Sequence, residues 1–274
     1  MPEGDSVYHA ARMLDAKVSG QVITRSDFRI PSLATRDLSG ATVTETVSRG
    51  KHLLTRFDND LTLGTHLKME GRWFVHPAGS RWKRPAHTAR VVLRTATTEA
   101  VGFSVVMELL RTSQEDKLVG HLGPDLLGPE WDADLALANL RARPGVTIGD
   151  ALLDQRNLAG VGNVYKSELC FLGGVDPLTP VRAVPDLALI VDRAKVLLEA
   201  NKDRPTRITT GDRRPGYQLW VYGRRGSCLT CGSPIRKADQ GPRGQERPTY
   251  WCPRCQPRHG TDEVGSASEP RGNQ

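Results

Sequence analysis

The sequence predicts an α+β protein of several domains, and three observations support this. The chain has 274 residues, which fits two domains and a small appendage better than one small domain. Short β-branched segments separated by turns give way to helical periodicity in the second half of the chain. Four of the five cysteines lie between residues 228 and 255. These patterns predict an N-terminal β-sandwich, a helical domain and a small cysteine-rich unit.

The N-terminal part is predicted to combine one helix with a set of strands. Residues 5–19 have a helical pattern because apolar side chains recur at three- and four-residue steps, and Gly20 ends it. The five β-branched runs that follow are residues 42–47, 52–57, 61–67, 72–75 and 89–93. Residues 58–60, Asp-Asn-Asp, signal a hairpin turn between two of these runs. This spacing is typical of a β-sandwich or a flattened barrel.

The second half of the chain is predicted to be helical. Glycine and proline residues at 120–124 and 128–129 mark a linker. The four predicted helices beyond it are residues 132–142, 147–155, 163–172 and 186–201. A glycine-rich turn at 160–162 precedes the third helix. The last residues, rich in Gly, Ser, Glu and Pro, are expected to be disordered.

Composition and hydropathy exclude several classes of protein. The chain is 38% hydrophobic and 25% charged, which is ordinary for a globular protein and argues against wholesale disorder or a fibrous repeat. No run approaches the roughly 18 apolar residues of a membrane span, and the start lacks a signal-peptide pattern. We therefore expect a cytoplasmic protein.

The positive charge is concentrated in one segment. The net charge is +7, yet residues 204–258 contain twelve Lys or Arg against three acidic residues, so the remainder of the chain is slightly negative. A local excess of this kind favours a polyanion such as nucleic acid as partner. A solvated basic face is the alternative interpretation.

The cysteine spacing predicts a metal site. Cys228, Cys231, Cys252 and Cys255 form two CxxC pairs separated by twenty residues, a spacing typical of a structural zinc site. Two disulfides or a redox pair are disfavoured, because there is no secretion signal and a redox CxxC needs no duplicate. A catalytic zinc is also disfavoured, because four thiolates leave no open position. Cys170 lies in an apolar stretch and is predicted to be a buried core thiol.

Three separated motifs then resemble one family. The chain has Met-Pro-Glu-Gly at residues 1–4, Ser-Arg-Gly-Lys-His-Leu-Leu at 48–54, and Asp-Gln-Arg-Asn-Leu-Ala-Gly-Val-Gly-Asn at 154–163. The four-cysteine unit follows Val-Tyr-Gly-Arg at 221–224. In this order and spacing, the motifs resemble the formamidopyrimidine-DNA glycosylase and endonuclease VIII family of base-excision repair enzymes. The resemblance is greater to the endonuclease VIII branch, particularly its actinobacterial type.

The resemblance implies a domain organisation and an activity. Residues 1–122 would form the catalytic β-sandwich, 123–222 a helix-two-turn-helix DNA-binding domain, 223–258 a zinc finger, and 259–274 a disordered tail. The implied activity is excision of oxidised bases, with pyrimidines preferred, followed by β,δ-elimination at the abasic site. The alternatives are a glycosylase that prefers 8-oxoguanine or formamidopyrimidine, a damaged-DNA-binding protein without catalysis, and a generic zinc-ribbon module.

The first residues carry chemistry that fits this activity. Removal of Met1 would free Pro2 as a secondary amine, which can attack a sugar's anomeric carbon and form an iminium ion. Glu3 is placed to act as a general acid or base. In the family, the lysine that matches Lys51 contacts the phosphate beside the lesion and assists catalysis. The plainer interpretations are an efficiently processed start, a helix-start acid and a surface lysine.

Three further residues are predicted to contact DNA. Asn163 follows the glycine-rich turn, so its amide groups can face a phosphate at a helix N-terminus, although such a sequence is also an ordinary helix–helix turn. The resemblance places Arg247 where the family's zinc hairpin presents an arginine to the phosphate of the lesion site. Met69 matches the family's wedge loop, which fills the hole left by a flipped base, or it fills the core.

Two departures from the family pattern bear on mechanism. The family usually has a glutamate where this chain has Ser6, which reduces the carboxylates at the start of the chain. Residues 100–103 lack the arginine-phenylalanine pair that the 8-oxoguanine-removing branch inserts opposite the lesion.

From the resemblance as a whole, we expect a bacterial, nucleoid-associated monomer. It would hold one structural Zn²⁺ and bind damaged double- or single-stranded DNA.

Overall fold

The computed structural model describes residues 2–224, 226–241, 244 and 246–260. Its α-helices are α1 (Gly4–Val18), α2 (Asp116–Val119), α3 (Ala133–Arg141), α4 (Ile148–Leu153), α5 (Asn163–Leu172) and α6 (Leu187–Asn201). Its strands are β1 (Arg25–Phe28), β2 (Val43–Arg49), β3 (His52–Phe57), β4 (Leu61–His66), β5 (Arg72–Pro77), β6 (Ala89–Arg94), β7 (Thr98–Phe103), β8 (Val106–Arg111), β9 (Arg236–Gln240) and β10 (Arg247–Trp251). None of these helices has the length and apolarity of a membrane span. The predicted disordered tail lies outside the described residues from residue 261 onward.

Two antiparallel sheets and α1 form the N-terminal part of the chain. The strand orders are β2-β3-β4-β8 and β1-β6-β7-β5, and α1 packs against strands of both sheets. The shared core contains buried side chains of α1 and of both sheets, among them Val7, Leu14, Leu53, Leu63, Trp73, Val91, Leu93 and Met107. This arrangement confirms the α+β prediction with an N-terminal β-sandwich.

Strands β1, β7 and β8 and the short α2 are not predicted by the sequence patterns. The only apolar residue of β1 is Phe28, so it lacks a β-branched signature. Because β7 is buried on both faces, its sequence does not alternate. In β8 the run Met-Glu-Leu-Leu consists of good helix formers. Pairing of β1 and β7 with β6, and of β8 with β4, therefore decides the conformation of these three strands.

The helical part confirms the four predicted helices to within two residues. Side chains cap three of them: Asp132 accepts from Leu135 N at 2.9 Å, Thr147 from Asp150 N at 3.3 Å, and Asp186 from Leu189 N at 2.8 Å. Each such cap contributes roughly 1 kcal/mol. Helix α5 lies at the centre, since residues 163–170 are all buried and the helix packs against α4, α6 and β10.

The C-terminal hairpin of β9 and β10 is fixed to α5 and to the start of α4 by polar side chains. Lys166 is fully buried and its Nζ donates to Thr249 Oγ1 on β10. Burial lowers the pKa of Lys166 to about 8. Gln240 on β9 donates to Thr147 Oγ1 at 2.7 Å. Cys170, on the same helix, is fully buried, which confirms the predicted core thiol, and burial raises its pKa to about 12.

Candidate active site and DNA interface

Glu3 is fully buried against the N-terminus of α5. Its Oε2 accepts hydrogen bonds from Gly162 N at 3.0 Å and Tyr165 N at 3.2 Å, and its Oε1 accepts from Val164 N at 2.7 Å. These N–H groups have no partner within the helix, and the positive end of the helix dipole favours the carboxylate. A Cβ at Gly162 would lie 2.4 Å from Glu3 Cδ, so only glycine leaves room for this acid.

A close backbone contact brings the start of the chain to the same place. Gly4 N donates to Gly160 O at 2.9 Å, and a Cβ on Gly4 would lie 2.9 Å from Gly160 Cα. Gly160 also has a φ of +113°, which disfavours other residues. Pro2 is half-buried immediately before Glu3. The two residues predicted to carry the chemistry therefore lie where the sandwich meets the helical part.

Asp5 and Arg207 form a buried ion pair beside Glu3. Arg207 Nε donates to Asp5 Oδ2 at 2.7 Å and Nη2 to Asp5 Oδ1 at 2.5 Å, in a bidentate arrangement. The guanidinium carbon lies 4.6 Å from the ring centroid of Tyr165, whose hydroxyl donates to Asp5 at 2.9 Å. Nη1 of Arg207 lies 4.0 Å from Glu3 Oε1. The sequence alone does not predict this pair.

Lys51 sits at the turn between β2 and β3. Gly50 before it has a φ of +56°, and Gly50 N donates to the buried carboxylate of Asp125 at 2.8 Å. This bond connects the turn to the predicted linker between the sandwich and the helical part. It fixes the backbone that carries Lys51.

The ammonium group of Lys51 is partly desolvated and lies in the electrostatic field of the same site. Burial lowers the pKa of Lys51 to about 8. The negative charge of Glu3 raises this pKa, and the positive charges of Arg207 and Arg247 lower it. Glu3 and Arg247, two of the other predicted site residues, are therefore close enough to act on the charge of Lys51.

Asn163 and Arg247 lie where α5 meets the C-terminal hairpin. Asn163 is the first residue of α5, and its Nδ2 donates to Pro248 O at 2.7 Å, so the side chain holds the hairpin. Its Oδ1 is buried and has no hydrogen-bond partner among the residues that the structure describes. Arg247 is exposed at the start of β10, opposite Gln240. The asparagine thus fixes the strand that presents the arginine, a contact that the sequence does not predict.

Met69 lies at the tip of the loop between β4 and β5 and is 50% exposed, which excludes the core alternative. The loop is tight: Lys68 has a φ of +49°, and Gly71 N donates to Leu67 O at 2.8 Å. A Cβ on Gly71 would lie 2.4 Å from that same carbonyl oxygen. Buried Leu67 anchors the loop, so the methionine projects from a rigid base.

Two histidines flank Lys51 and carry no charge at neutral pH. The rings of His52 and His66 meet edge to face with centroids 5.1 Å apart. Burial, together with a neighbouring histidine and the charges of Lys68 and Lys51, lowers the pKa of His52 to about 4 and that of His66 to about 3. His66 Nδ1 accepts from Lys68 N at 2.8 Å. The positive charge on this side of the site therefore comes from lysines.

The four cysteines of the C-terminal unit converge. Their Sγ atoms all lie within 4.8 Å of one another, as a tetrahedral metal site requires. Cys228 and Cys252 each accept a hydrogen bond at 3.4 Å from the backbone N–H two or three residues further along the chain, which shapes the two knuckles. The φ of +75° at Gly232 allows the first knuckle to turn back. The predicted ligand set can therefore hold one metal ion.

Some arginines of the basic segment, residues 204–258, form hydrogen bonds within the protein. Arg207 is committed to Asp5, and Arg224 donates to the backbone carbonyls of Trp220, Gly216 and Leu219. The charge count of residues 204–258 therefore overstates what is available to a polyanion. The sequence offers one local signal for the Asp5–Arg207 pair, since Asp5 is next to Ser6, where the chain departs from the family pattern. Nothing in the sequence shows that the partner of Asp5 is Arg207, 202 residues away.

The fold and the site together define a class of protein. In it, a β-sandwich with a buried glutamate near the N-terminus packs against a helix that follows a glycine-rich turn, and a hairpin with four cysteines lies beside that helix. The family model of the formamidopyrimidine-DNA glycosylase N-terminal domain matches residues 1–106, and that of the formamidopyrimidine-DNA glycosylase H2TH domain matches residues 122–207. The chain belongs to the formamidopyrimidine-DNA glycosylase and endonuclease VIII family, in its endonuclease VIII branch.

Curated relatives and solved structures agree with this assignment. The chain is 58% identical over 261 residues to "Probable endonuclease 8 2" of Streptomyces coelicolor, covering 93% of this chain and 94% of the relative. It is 48% identical over 258 residues to "DNA-(apurinic or apyrimidinic site) lyase Nei2" of Mycolicibacterium smegmatis, covering 93% and 99%. A Lactococcus lactis Fpg complex with abasic-site DNA matches with a TM-score of 0.78 at 24% identity, covering 94% and 100%, which supports the fold.

Proposed function

We propose that this protein is a bifunctional DNA glycosylase and abasic-site lyase of base-excision repair, with the amine of Pro2 as its nucleophile. The single observation that carries the proposal is the burial of Glu3, directly after Pro2, on three backbone N–H groups at the N-terminus of α5. An acid is rarely buried without such compensation, and here it adjoins a residue that becomes a secondary amine once Met1 is removed. The curated relatives named above are called endonuclease 8 and abasic-site lyase.

The covalent chemistry follows from a secondary amine. The nitrogen lone pair of Pro2 attacks C1′ of the damaged nucleoside, the base leaves with the electrons of the glycosidic bond and gains a proton, and the sugar ring opens to an iminium ion. Loss of a C2′ proton then expels the 3′ phosphate. Loss of a C4′ proton expels the 5′ phosphate. Water hydrolyses the remaining iminium and frees the amine.

Glu3 is proposed to move protons during these steps. The three backbone donors hold its carboxylate in one orientation, and it lies one residue from the nucleophile. A group held in this way can accept the proton that the Pro2 amine loses as it attacks and pass that proton to the ring oxygen as the sugar opens. Positioned general acid–base catalysis of this kind contributes roughly 10²- to 10⁴-fold in rate.

The remaining predicted residues are proposed to hold the DNA. Lys51 and Arg247 supply positive charge around Glu3, where the lesion's phosphate would lie. The N-terminus of α5 at Asn163 adds N–H groups and a positive dipole end. Exposed Met69 would enter the stack in place of the flipped nucleotide. Since the substrate is chromosomal DNA, we place the protein at the bacterial nucleoid.

The metal held by the four cysteines is proposed to be Zn²⁺. Four thiolates at tetrahedral spacing are a preferred zinc donor set and leave no coordination position for a substrate. Zinc therefore stiffens the hairpin that presents Arg247 and takes no part in the reaction.

Product analysis tests the proposed activity directly. Incubation with an end-labelled duplex that contains one abasic site is expected to leave a one-nucleotide gap with phosphates at both ends, because both phosphates are eliminated. A duplex that is bound but never cut would instead identify a damaged-DNA-binding protein without catalysis.

The ionisation of Lys51 predicts a pH dependence of DNA binding. With a pKa of about 8, the side chain is a cation below that pH and neutral above it. We expect the affinity for a duplex with a tetrahydrofuran abasic analogue to weaken about tenfold between pH 7 and pH 9, since a charge-assisted phosphate contact is lost. Lys51→Arg should keep its affinity across this range, whereas Lys51→Gln should be weak throughout. A wild-type affinity as flat as that of Lys51→Arg would contradict the assignment.

The connection between β7 and β8 predicts the lesion preference. Residues 104–105 alone join these strands, and Phe103 and Val105 are buried, so this connection is too short to present an arginine–phenylalanine pair to the DNA stack opposite the lesion. With Met69 as the exposed wedge, weakly paired bases are favoured because they are the easiest to flip. We expect faster excision of thymine glycol and dihydrouracil, including in bubbles, than of 8-oxoguanine opposite cytosine. Parallel single-turnover assays decide this, and a preference for 8-oxoguanine would contradict it.

A further inference from the structure

The carboxylate of Asp5 is buried in the first turn of α1 and receives donors from three parts of the chain. Arg207 contacts both of its oxygens, and Tyr165 donates its hydroxyl to Oδ2. Ser6 donates its backbone N–H to Oδ1 at 2.7 Å and its hydroxyl to the same oxygen at 3.1 Å. Burial opposes ionisation of Asp5, but the hydrogen bonds and charge of Arg207 outweigh it and lower the pKa of this carboxyl. The group is therefore a fixed anion.

Arg207 holds this anion from outside the N-terminal sandwich. It lies beyond the end of α6, its side chain is only 13% exposed, and its guanidinium stacks on Tyr165 of α5. Nε and Nη2 are used by Asp5, with Nη2 also donating to Ser6 Oγ at 3.3 Å. Nη1 points towards Glu3 at a distance too long for a hydrogen bond. The pair thus joins α1, α5 and the segment after α6 at the catalytic acid.

We propose that the Asp5–Arg207 pair positions the nucleophile. Asp5 thereby provides a carboxylate next to Ser6, the position at which the family pattern has a glutamate. Asp5 lies three residues from Pro2, and the intervening residues are fixed by Glu3 on α5 and by Gly4 on Gly160. Locking Asp5 as well leaves the segment that carries the amine little freedom at its C-terminal side. This inference rests on the proposed function of Pro2.

Stability alone does not account for the pair. A buried ion pair is often no more stabilising than apolar residues of similar volume, because desolvation offsets the attraction. What it supplies is one defined geometry, and reaction rates are sensitive to displacements of about 1 Å. The cation also acts on the site from a distance, since Arg207 is one of the charges that lower the pKa of Lys51.

The test separates chemistry from binding and folding. Asp5→Asn, Arg207→Lys and Arg207→Met are compared with Arg56→Met, which breaks a partly buried bidentate arginine–carboxylate pair with Glu115 in the sandwich. For each variant, we would measure the single-turnover rate of the borohydride-trapped adduct with abasic DNA, the Kd for the tetrahydrofuran analogue duplex, and Tm.

We expect Asp5→Asn and Arg207→Met to trap roughly 10- to 100-fold more slowly, with Kd changed less than about threefold. Arg207→Lys should recover part of the rate because it retains the charge. Arg56→Met should lower Tm and leave the trapping rate unchanged. If Arg207→Met fails to fold, Asp5→Asn and Arg207→Lys decide the matter, since each is a smaller change.

The proposal would be overturned if Asp5→Asn and Arg207→Lys formed the trapped adduct at the wild-type rate. It would also be overturned if Arg56→Met lost as much trapping rate, for the same loss of Tm, as the Asp5 and Arg207 variants. Absence of any adduct with the wild-type protein is a different outcome. It would overturn the proposed function, and the positioning role of the Asp5–Arg207 pair, which depends on that function, would be overturned as well.

Discussion

Replacing Glu3 by glutamine is expected to reduce base excision and adduct formation by roughly 10²- to 10⁴-fold, the range that one general acid–base group contributes. Glutamine has the same shape but cannot transfer the proton. Its NH₂ group would also face one of the three backbone donors of α5, so some stability is lost as well. The measurement is the single-turnover excision rate together with the Kd for an abasic-analogue duplex, which should change little.

Glu115→Gln is the matched control for this variant. Glu115 is a largely buried carboxylate bound by Arg56 and Thr62 in the sandwich. Its replacement should lower Tm while the folded protein reacts at the wild-type rate. If Glu3→Gln reacted as fast as Glu115→Gln, Glu3 would be a structural acid and its assignment as proton donor would be wrong.

Replacing Cys252 by serine is expected to release the metal and disorder the hairpin of β9 and β10. A structural zinc supplies about 10–16 kcal/mol of apparent binding free energy, which a hairpin of this size cannot replace. Arg247 and the β10 carbonyl that holds Asn163 would then lose their positions. We expect zinc content to fall from one per chain to none and DNA affinity to fall at least tenfold, while the sandwich and helices stay folded.

Cys170→Ser provides the control for this experiment. Cys170 is a fully buried thiol of α5 outside the four-cysteine cluster, so its replacement can cost stability but not metal. Metal analysis, circular dichroism and DNA binding distinguish the two variants. A wild-type protein without zinc, or unchanged DNA binding by Cys252→Ser, would contradict the proposed role of the hairpin.

The fold could be predicted where local sequence and tertiary structure agree. The helix α5 was predictable because its glycine turn and apolar periodicity coincide, and β3 because its β-branched run is bounded by turns. The strand β8 was not, because its helix-forming residues adopt a strand only through pairing with β4. Local propensity carries no information about such a partner.

The candidate site shows the same division. The four cysteines could be proposed from their spacing alone, and Pro2 and Glu3 from the resemblance of the first residues to the family pattern. The pairing of Asp5 with Arg207 could not, since the residues are 202 positions apart and nothing in the sequence connects one with the other. The bond from Asn163 to the hairpin was also hidden, because a helix-start asparagine predicts a cap or a ligand contact.

The central claim, that the Pro2 amine is the nucleophile, is tested most directly by locating the covalent bond. The protein is reacted with abasic DNA in the presence of borohydride, digested, and the modified peptide is identified by mass spectrometry. We predict that the deoxyribose remnant is attached to the nitrogen of Pro2 and that a protein with a blocked N-terminus gives no adduct. An adduct on Lys51, or equal trapping by the blocked protein, would contradict this account.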